Sequence, residues 1–148
     1  MTIRVCRMSW EGRLAVANEE LVAFLKQGTE AWNAWRAQHR EASVDFSGAA
    51  LRALDLAEAN LVGVDLRRAD LRGTVLTKAS LAGACLQGAN IFKAVLDGAD
   101  LRDADLCGAR FLHCAQLQAA LHWQTTFRDE ALACGAAIPR SEVQEVPD

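Results

Sequence analysis

The chain has 148 residues, 51% of them hydrophobic, and a net charge of −3. That length is enough for one domain with a real core, and the mild acidity gives no electrostatic case for nucleic acid or an anionic membrane surface. No apolar run approaches the length needed to span a bilayer.

The first residues, "MTIRVCRMSWEGRLAVANEE", carry two early arginines but no sustained apolar stretch, so a secretory signal is not expected. "TIRVC" is a candidate short strand. The five cysteines, Cys6, Cys85, Cys107, Cys114 and Cys134, are odd in number and contain no CxxC pair. Their spacing indicates no disulfide framework, which predicts a reduced, cytoplasmic compartment.

"NEELVAFLKQGTEAWNAWRAQHRE" reads as a helix. Asn18 is suited to the N-cap, and Glu19 and Glu20 suit the positive end of the helix dipole. Leu21, Leu25, Gly28, Trp32 and Trp35 follow a four-three-four-three spacing and fall on one stripe. Leu21, Leu25, Trp32 and Trp35 are expected to cover the start of the next unit near Phe46. The alternative for the two tryptophans is a partner-binding pair.

From residue 44 a large apolar residue recurs every five positions. It falls at Phe46, Leu51, Leu56, Leu61, Leu66, Leu71, Leu76, Leu81, Leu86, Ile91, Leu96, Leu101, Leu106 and Phe111 without a slip. Two residues earlier the side chain is usually alanine; Val44, Leu54, Val64 and Thr74 are the exceptions. On an α-helix a step of five rotates by about 140°, which sprays the leucines round the axis. On a flat strand an odd period sends them to alternate faces. A solenoid satisfies the pattern: the small and large residues face inward, the residue between them faces out, and the next two turn a corner. Glycine recurs at the second corner position, where a permissive backbone helps. Phe46, Leu66, Leu81, Leu86, Leu101, Leu106 and Phe111 are therefore core candidates.

Runs such as "ANLVG", "ADLRG" and "ADLRD" resemble the pentapeptide repeat, A-(D/N)-L-x-x, strictly over residues 44–113. The resemblance implies an all-β solenoid, a right-handed quadrilateral β-helix with four repeats per coil, so that residues twenty apart stack. Many bacterial members carry a similar Trp-bearing helix ahead of the repeats. The expected organisation is an N-terminal segment and capping helix over 1–43, a pentapeptide-repeat β-helix over 44–123, and a C-terminal capping helix and polar tail over 124–148. Both ends need covering, because a solenoid leaves raw edges. "TTFRDEALACGAAIP" reads as the second cap, a helix with Thr126 at its start, Asp129 and Glu130 in its first turn, Gly135 at its end and Pro139 beyond.

Nothing in the sequence reads as catalytic machinery. His113, Cys114, Cys107 and His122 are near in sequence, but the register sends their side chains to different faces, which argues against a metal site. Asp45, Asp55, Asp65, Asp70, Asp100 and Asp105 point outward from separate faces and are suited to hydrogen-bond neighbouring turns rather than to act as an acid–base pair. No cofactor, small-molecule substrate or enzymatic activity is expected. The expected function is a non-catalytic scaffold binding a protein partner, or a second copy of itself, through solenoid faces. The alternative implied by the resemblance is DNA mimicry against type II topoisomerases. The repeat region disfavours it: eight Asp and one Glu face six Arg and two Lys over residues 44–113. Arg52 and Arg72, which should stack on one face, count against mimicry as well, and specific nucleic-acid binding is disfavoured for want of a basic stripe with interleaved aromatics.

One apolar patch breaks the outward polar pattern. Val75 and Val95 are twenty apart, as are Phe92 and Leu112, and Ala115 continues the first column. Val75, Phe92, Val95, Leu112 and Ala115 are expected to meet along one edge as a contact surface, unless a terminal segment folds back over them.

Overall fold

The computed structural model describes residues 4–5, 19–129, 132 and 134. Five short regular elements frame the repeats: β1 (Arg4–Val5), α1 (Glu19–Lys26), α2 (Thr29–Gln38), α3 (Cys114–Gln118) and β2 (Phe127–Arg128), with one 3-10 turn at Trp123–Thr125. Asn18, Glu130, Gly135 and Pro139 lie outside the described residues.

Between α2 and α3 the chain winds as a solenoid. Parallel bridges join residues twenty or so apart, including Asp45 to Asp65, Ala50 to Asp70 and Asp70 to Asn90. Each outward residue donates to the coil before it, and the following leucine donates to the coil after it: Asp70 N bonds Ala49 O, and Leu71 N bonds Asn90 O, both at 2.9 Å. Four repeats therefore make one coil, with coils about 4.8 Å apart.

The corners explain the rest of the repeat. The residue two after each leucine has positive φ, and Gly occupies that position at 48, 63, 73, 83, 88, 98 and 108. Six such corners carry non-glycine residues: Ala53, Glu58, Arg68, Lys78, Lys93 and Asp103. Where the outward residue is Asp or Asn, it braces the corner that follows. Its Oδ1 accepts the backbone N–H two residues on, as Asp65 does from Arg67 (3.0 Å) and Asn90 from Phe92 (3.1 Å). These are the local turns that Asp and Asn form best.

Leucines and alanines from Val44 to Leu106 fill the interior, and Phe46, Leu66, Leu81, Leu86, Leu101 and Leu106 are buried as the period of five requires. Thr74 is also fully buried, and its hydroxyl donates to Leu51 O at 2.6 Å, so it leaves no unpaired polar group. Phe111 corrects the sequence reading. It is 52% exposed with φ +60, whereas the next residue, Leu112, is buried. The regular coil stops one residue short of Phe111, and Leu112 takes its place in the core.

The stretch before the repeats forms two helices rather than one. Gly28, with φ 138 and ψ 156, separates α1 from α2. α2 lies along the first coil and supplies the partners that a preceding coil would have supplied. The Trp32 indole donates to Asn60 O (2.8 Å), Asn33 Nδ2 donates to Glu58 O (3.0 Å), and Asn60 N donates to Asn33 Oδ1 (2.7 Å). Buried Arg36 donates to Ala42 O at 2.9 Å and Val62 O at 2.8 Å. Trp32 is fully buried against Phe46, ring centroids 5.4 Å apart, with Leu25 buried and Leu21 and Trp35 packed at its border.

The other end also departs from expectation. Phe127–Arg128 is a strand, not the first turn of a helix capped by Thr126; it pairs in parallel with Arg4–Val5, and Phe127 bridges Asp105. Asp105 N and Leu106 N keep the ladder going, the latter to Phe127 O at 2.8 Å. The helix at this end is α3, inside the span expected to be repeat. Its Gln116 donates to Ile91 O (3.1 Å) and Ala94 O (2.9 Å). The cysteine reading is overturned as well. Cys114 and Cys134 form a disulfide with Cα atoms 5.4 Å apart, and Cys107 is also disulfide-bonded. The cysteines thus give no support to a reduced compartment.

Candidate functional site

One solenoid face differs from the others in charge. Its central column is Ala50, Asp70, Asn90 and Arg110, stacked by successive bridges. Arg68 sits at one margin, and Arg52 and Arg72 at the other. Four guanidinium groups of the repeats thus share this face with one repeat carboxylate, Asp70, while Asp129 reaches its far margin from beyond the repeats and accepts from Gly108 N at 3.1 Å; the repeat region as a whole is close to neutral.

Asp70 is committed to Arg72. The Arg72 Nε donates to Asp70 Oδ1 at 2.8 Å and its Nη2 to Oδ2 at 2.7 Å, a bidentate pair. Those bonds from Arg72, with a smaller contribution from the charge of Arg52, hold the Asp70 carboxyl down at about 2. The pair fixes the Arg72 fork in place. Arg52, Arg68 and Arg110 have no carboxylate partner among the described residues.

A depression of about 580 Å³ opens on this face, lined by Arg68, Ala69, Asp70, Arg72, Gly88, Asn90 and Arg110. Gly88 contributes no side chain to it. The Arg68 Cγ leans to within 3.4 Å of where a Cβ on Gly88 would sit. Asn90 Oδ1 is occupied by Phe92 N, which turns the Asn90 amide NH2 outward without a partner among the described residues.

The apolar edge adjoins this face. Phe92 (43% exposed) meets Phe111 edge-on, ring centroids 5.8 Å apart. The Lys93 ammonium lies 5.3 Å from the centre of the Phe92 ring, and the Arg110 guanidinium 5.5 Å from that of Phe111. Of the expected patch, Phe92, Val95 and Ala115 are exposed, Val75 is half-buried beside Val95, and Leu112 is buried. Phe111 replaces Leu112 in the surface cluster. The sequence signal for the arginine face was available in the twenty-residue spacing of positions 50, 70, 90 and 110, which linear charge counting averages away.

Among the described residues no group of His, Cys, Asp and Glu could hold a metal ion, and no helix is long and apolar enough to cross a membrane. His122 Nε2 lies 3.0 Å from Arg102, on another face from His113.

Stacked twenty-residue coils, each built of four five-residue repeats, define the pentapeptide repeat class. The pentapeptide repeats family matches residues 42–121 in overlapping segments, eight copies in all, and the chain belongs to that family. Its members form right-handed quadrilateral β-helices. Among solved structures the chain is similar to a pentapeptide repeat protein from Nostoc PCC 7120, at 25% identity over 83% of this chain and 97% of that one, with a TM-score of 0.35. It is similar to HetL, a protein involved in heterocyst differentiation regulation in Nostoc sp. strain PCC 7120, at 30% identity over 51% of this chain, with a TM-score of 0.24. The match spans only 35% of HetL. A pentapeptide repeat protein of the Arabidopsis thaliana thylakoid lumen is 24% identical over 69% of this chain and 79% of its own, with a TM-score of 0.25. No curated protein matches the chain.

Proposed function

We propose that the protein is a non-catalytic scaffold that docks a macromolecular partner on the arginine face and its aromatic edge. The observation that carries this reading is the juxtaposition of exposed Phe92 and Phe111 with Arg110, beside a depression rimmed by Arg68 and Arg72. Aromatic and arginine side chains dominate the energetics of docking surfaces. The groups that would support catalysis are lacking on this face. Asp70 is tied up by Arg72, and among the described residues no nucleophile stands beside a base there. The polar residues of α2 and of the Cys114–Gln118 helix act as end caps, leaving the lateral faces as the surface for contact. DNA mimicry fits poorly with a face whose charge is positive.

The test is site-specific photo-crosslinking in the native host. A photoreactive phenylalanine at position 92 should give a discrete adduct. The same group at position 82, the equivalent corner two repeats earlier and so on the opposite side of the coil, should not. Equal labelling at both positions, or none at position 92, would contradict the reading.

A further inference from the structure

We propose that the arginine face binds single-stranded nucleic acid, with a backbone phosphate seated in the depression over Gly88 and a base stacked at the Phe92–Phe111 edge. The inference rests on the docking reading above and names the partner's chemistry.

The depression is rich in donors and poor in acceptors. Arg68 leans over Gly88 from one side, Arg110 stands one coil beyond Asn90, and Arg72 is held at the opposite margin by Asp70. The unpartnered Asn90 amide NH2 belongs to the floor. Asp70 accepts from the Arg72 backbone and both carboxylate oxygens accept from the Arg72 side chain, so its charge is offset by Arg72, and Arg52, Arg68 and Arg110, which have no carboxylate partner among the described residues, leave the face positive. Donors converging from several directions match the oxygens of a tetrahedral phosphate better than the two coplanar oxygens of a carboxylate. Phosphate alone would not require the neighbouring aromatics. Phe92 follows Asn90 by two residues, and its ring and that of Phe111 are exposed at the rim. Aromatic side chains beside a cationic track are the means by which single strands are held, each base stacking on a ring while guanidinium groups follow the backbone.

The shape selects against a duplex. Each face is flat and spans five residues, at most about 13 Å, from one corner to the next. It presents no helix or ribbon that could enter a groove, which duplex readout needs. The chain's net charge of −3 does not oppose binding, because exposed charges more than about 8–10 Å away are largely screened at physiological salt.

The experiment is fluorescence anisotropy of a short labelled oligothymidylate titrated with the full chain, repeated over a salt series. Saturable binding is expected, weakening as salt rises. Removing two phosphate contacts with Arg68→Gln and Arg110→Gln together should make the log–log salt slope shallower by about 1.4. Phe92→Ala should weaken binding roughly tenfold, through lost stacking. Thermal midpoints of the variants serve as the control that both remain folded. The proposal is overturned if the oligonucleotide does not bind at low salt, if the arginine variants bind as wild type, or if a duplex or a polyglutamate peptide binds as tightly. A protein adduct at position 92 in the native host, combined with no oligonucleotide binding, would remove this inference and leave the docking reading standing.

Discussion

The indole N–H of Trp32 donates to the backbone carbonyl of Asn60 across 2.8 Å, joining α2 to the first coil. That carbonyl belongs to the free edge of the solenoid, where no earlier coil exists to pair with it. Trp32 combines this bond with a fully buried ring against Phe46. Trp32→Ala should therefore destabilise the protein by about 3–5 kcal/mol. Trp32→Phe retains most of the packing and should lose about 1–3 kcal/mol for the unpaired carbonyl. Denaturant midpoints of the two variants and wild type separate the contributions; a Trp32→Phe midpoint equal to wild type would mean that the hydrogen bond contributes nothing.

Phe111 and Leu112 exchange the roles that the five-residue period assigns them. Leu112→Asp places a charge in a buried position and should unfold the last coil, whereas Phe111→Asp should change the thermal midpoint little. The reverse order of midpoints would restore Phe111 to the core.

The Asp70–Arg72 pair makes a pH prediction. The folded carboxyl titrates at about 2, below the ordinary aspartate value near 4. Its contribution is complete above the unfolded value and is lost as the pH falls towards the folded one. The acid limb of the stability curve between about pH 4 and pH 2 should therefore be shallower in Arg72→Ala than in wild type. Parallel limbs would contradict the pairing.

Arg128 is 1% exposed, and its guanidinium nitrogens have no hydrogen-bond partner among the described residues, only the Trp123 ring 5.0 Å away. Burial pushes its pKa down. Arg128→Met keeps the volume and removes an uncompensated charge, so it should leave stability unchanged or raise it by about 1–4 kcal/mol. A clear loss of stability would show that the contact with Trp123 outweighs the desolvation.

The Cys114–Cys134 bond closes a segment that contains β2. Replacing both cysteines with serine should cost about 3 kcal/mol, the entropy that a loop of that length regains in the unfolded chain. Unfolding in urea, compared between the double variant and wild type, measures it.

The solenoid core was legible because one physical rule, alternation plus a corner, repeats at every leucine from Phe46 to Leu106. The bracing role of the outward aspartates was legible for the same reason. The failures lie where neighbouring residues could satisfy the rule equally well or where distant segments meet. Phe111 and Leu112 are both large and apolar, and only the end of the ladder decides between them. Gly28 falls on the apolar stripe, so the pattern runs straight through the break. Asn33, Arg36 and Gln116 bond carbonyls 22–26 residues away, and no local pattern marks such contacts. Cys114 and Cys134 are twenty apart, the coil repeat, but nothing in their local sequence marks them as partners. The arginine face emerges only when residues twenty apart are superimposed.

The most direct test of the account replaces one exposed ring. Phe92→Asp, in a tagged chain expressed in the native host, should keep the wild-type thermal midpoint and lose the partner that wild type retains. If the variant retains the partner, or if it unfolds, the arginine and phenylalanine edge is not the contact surface.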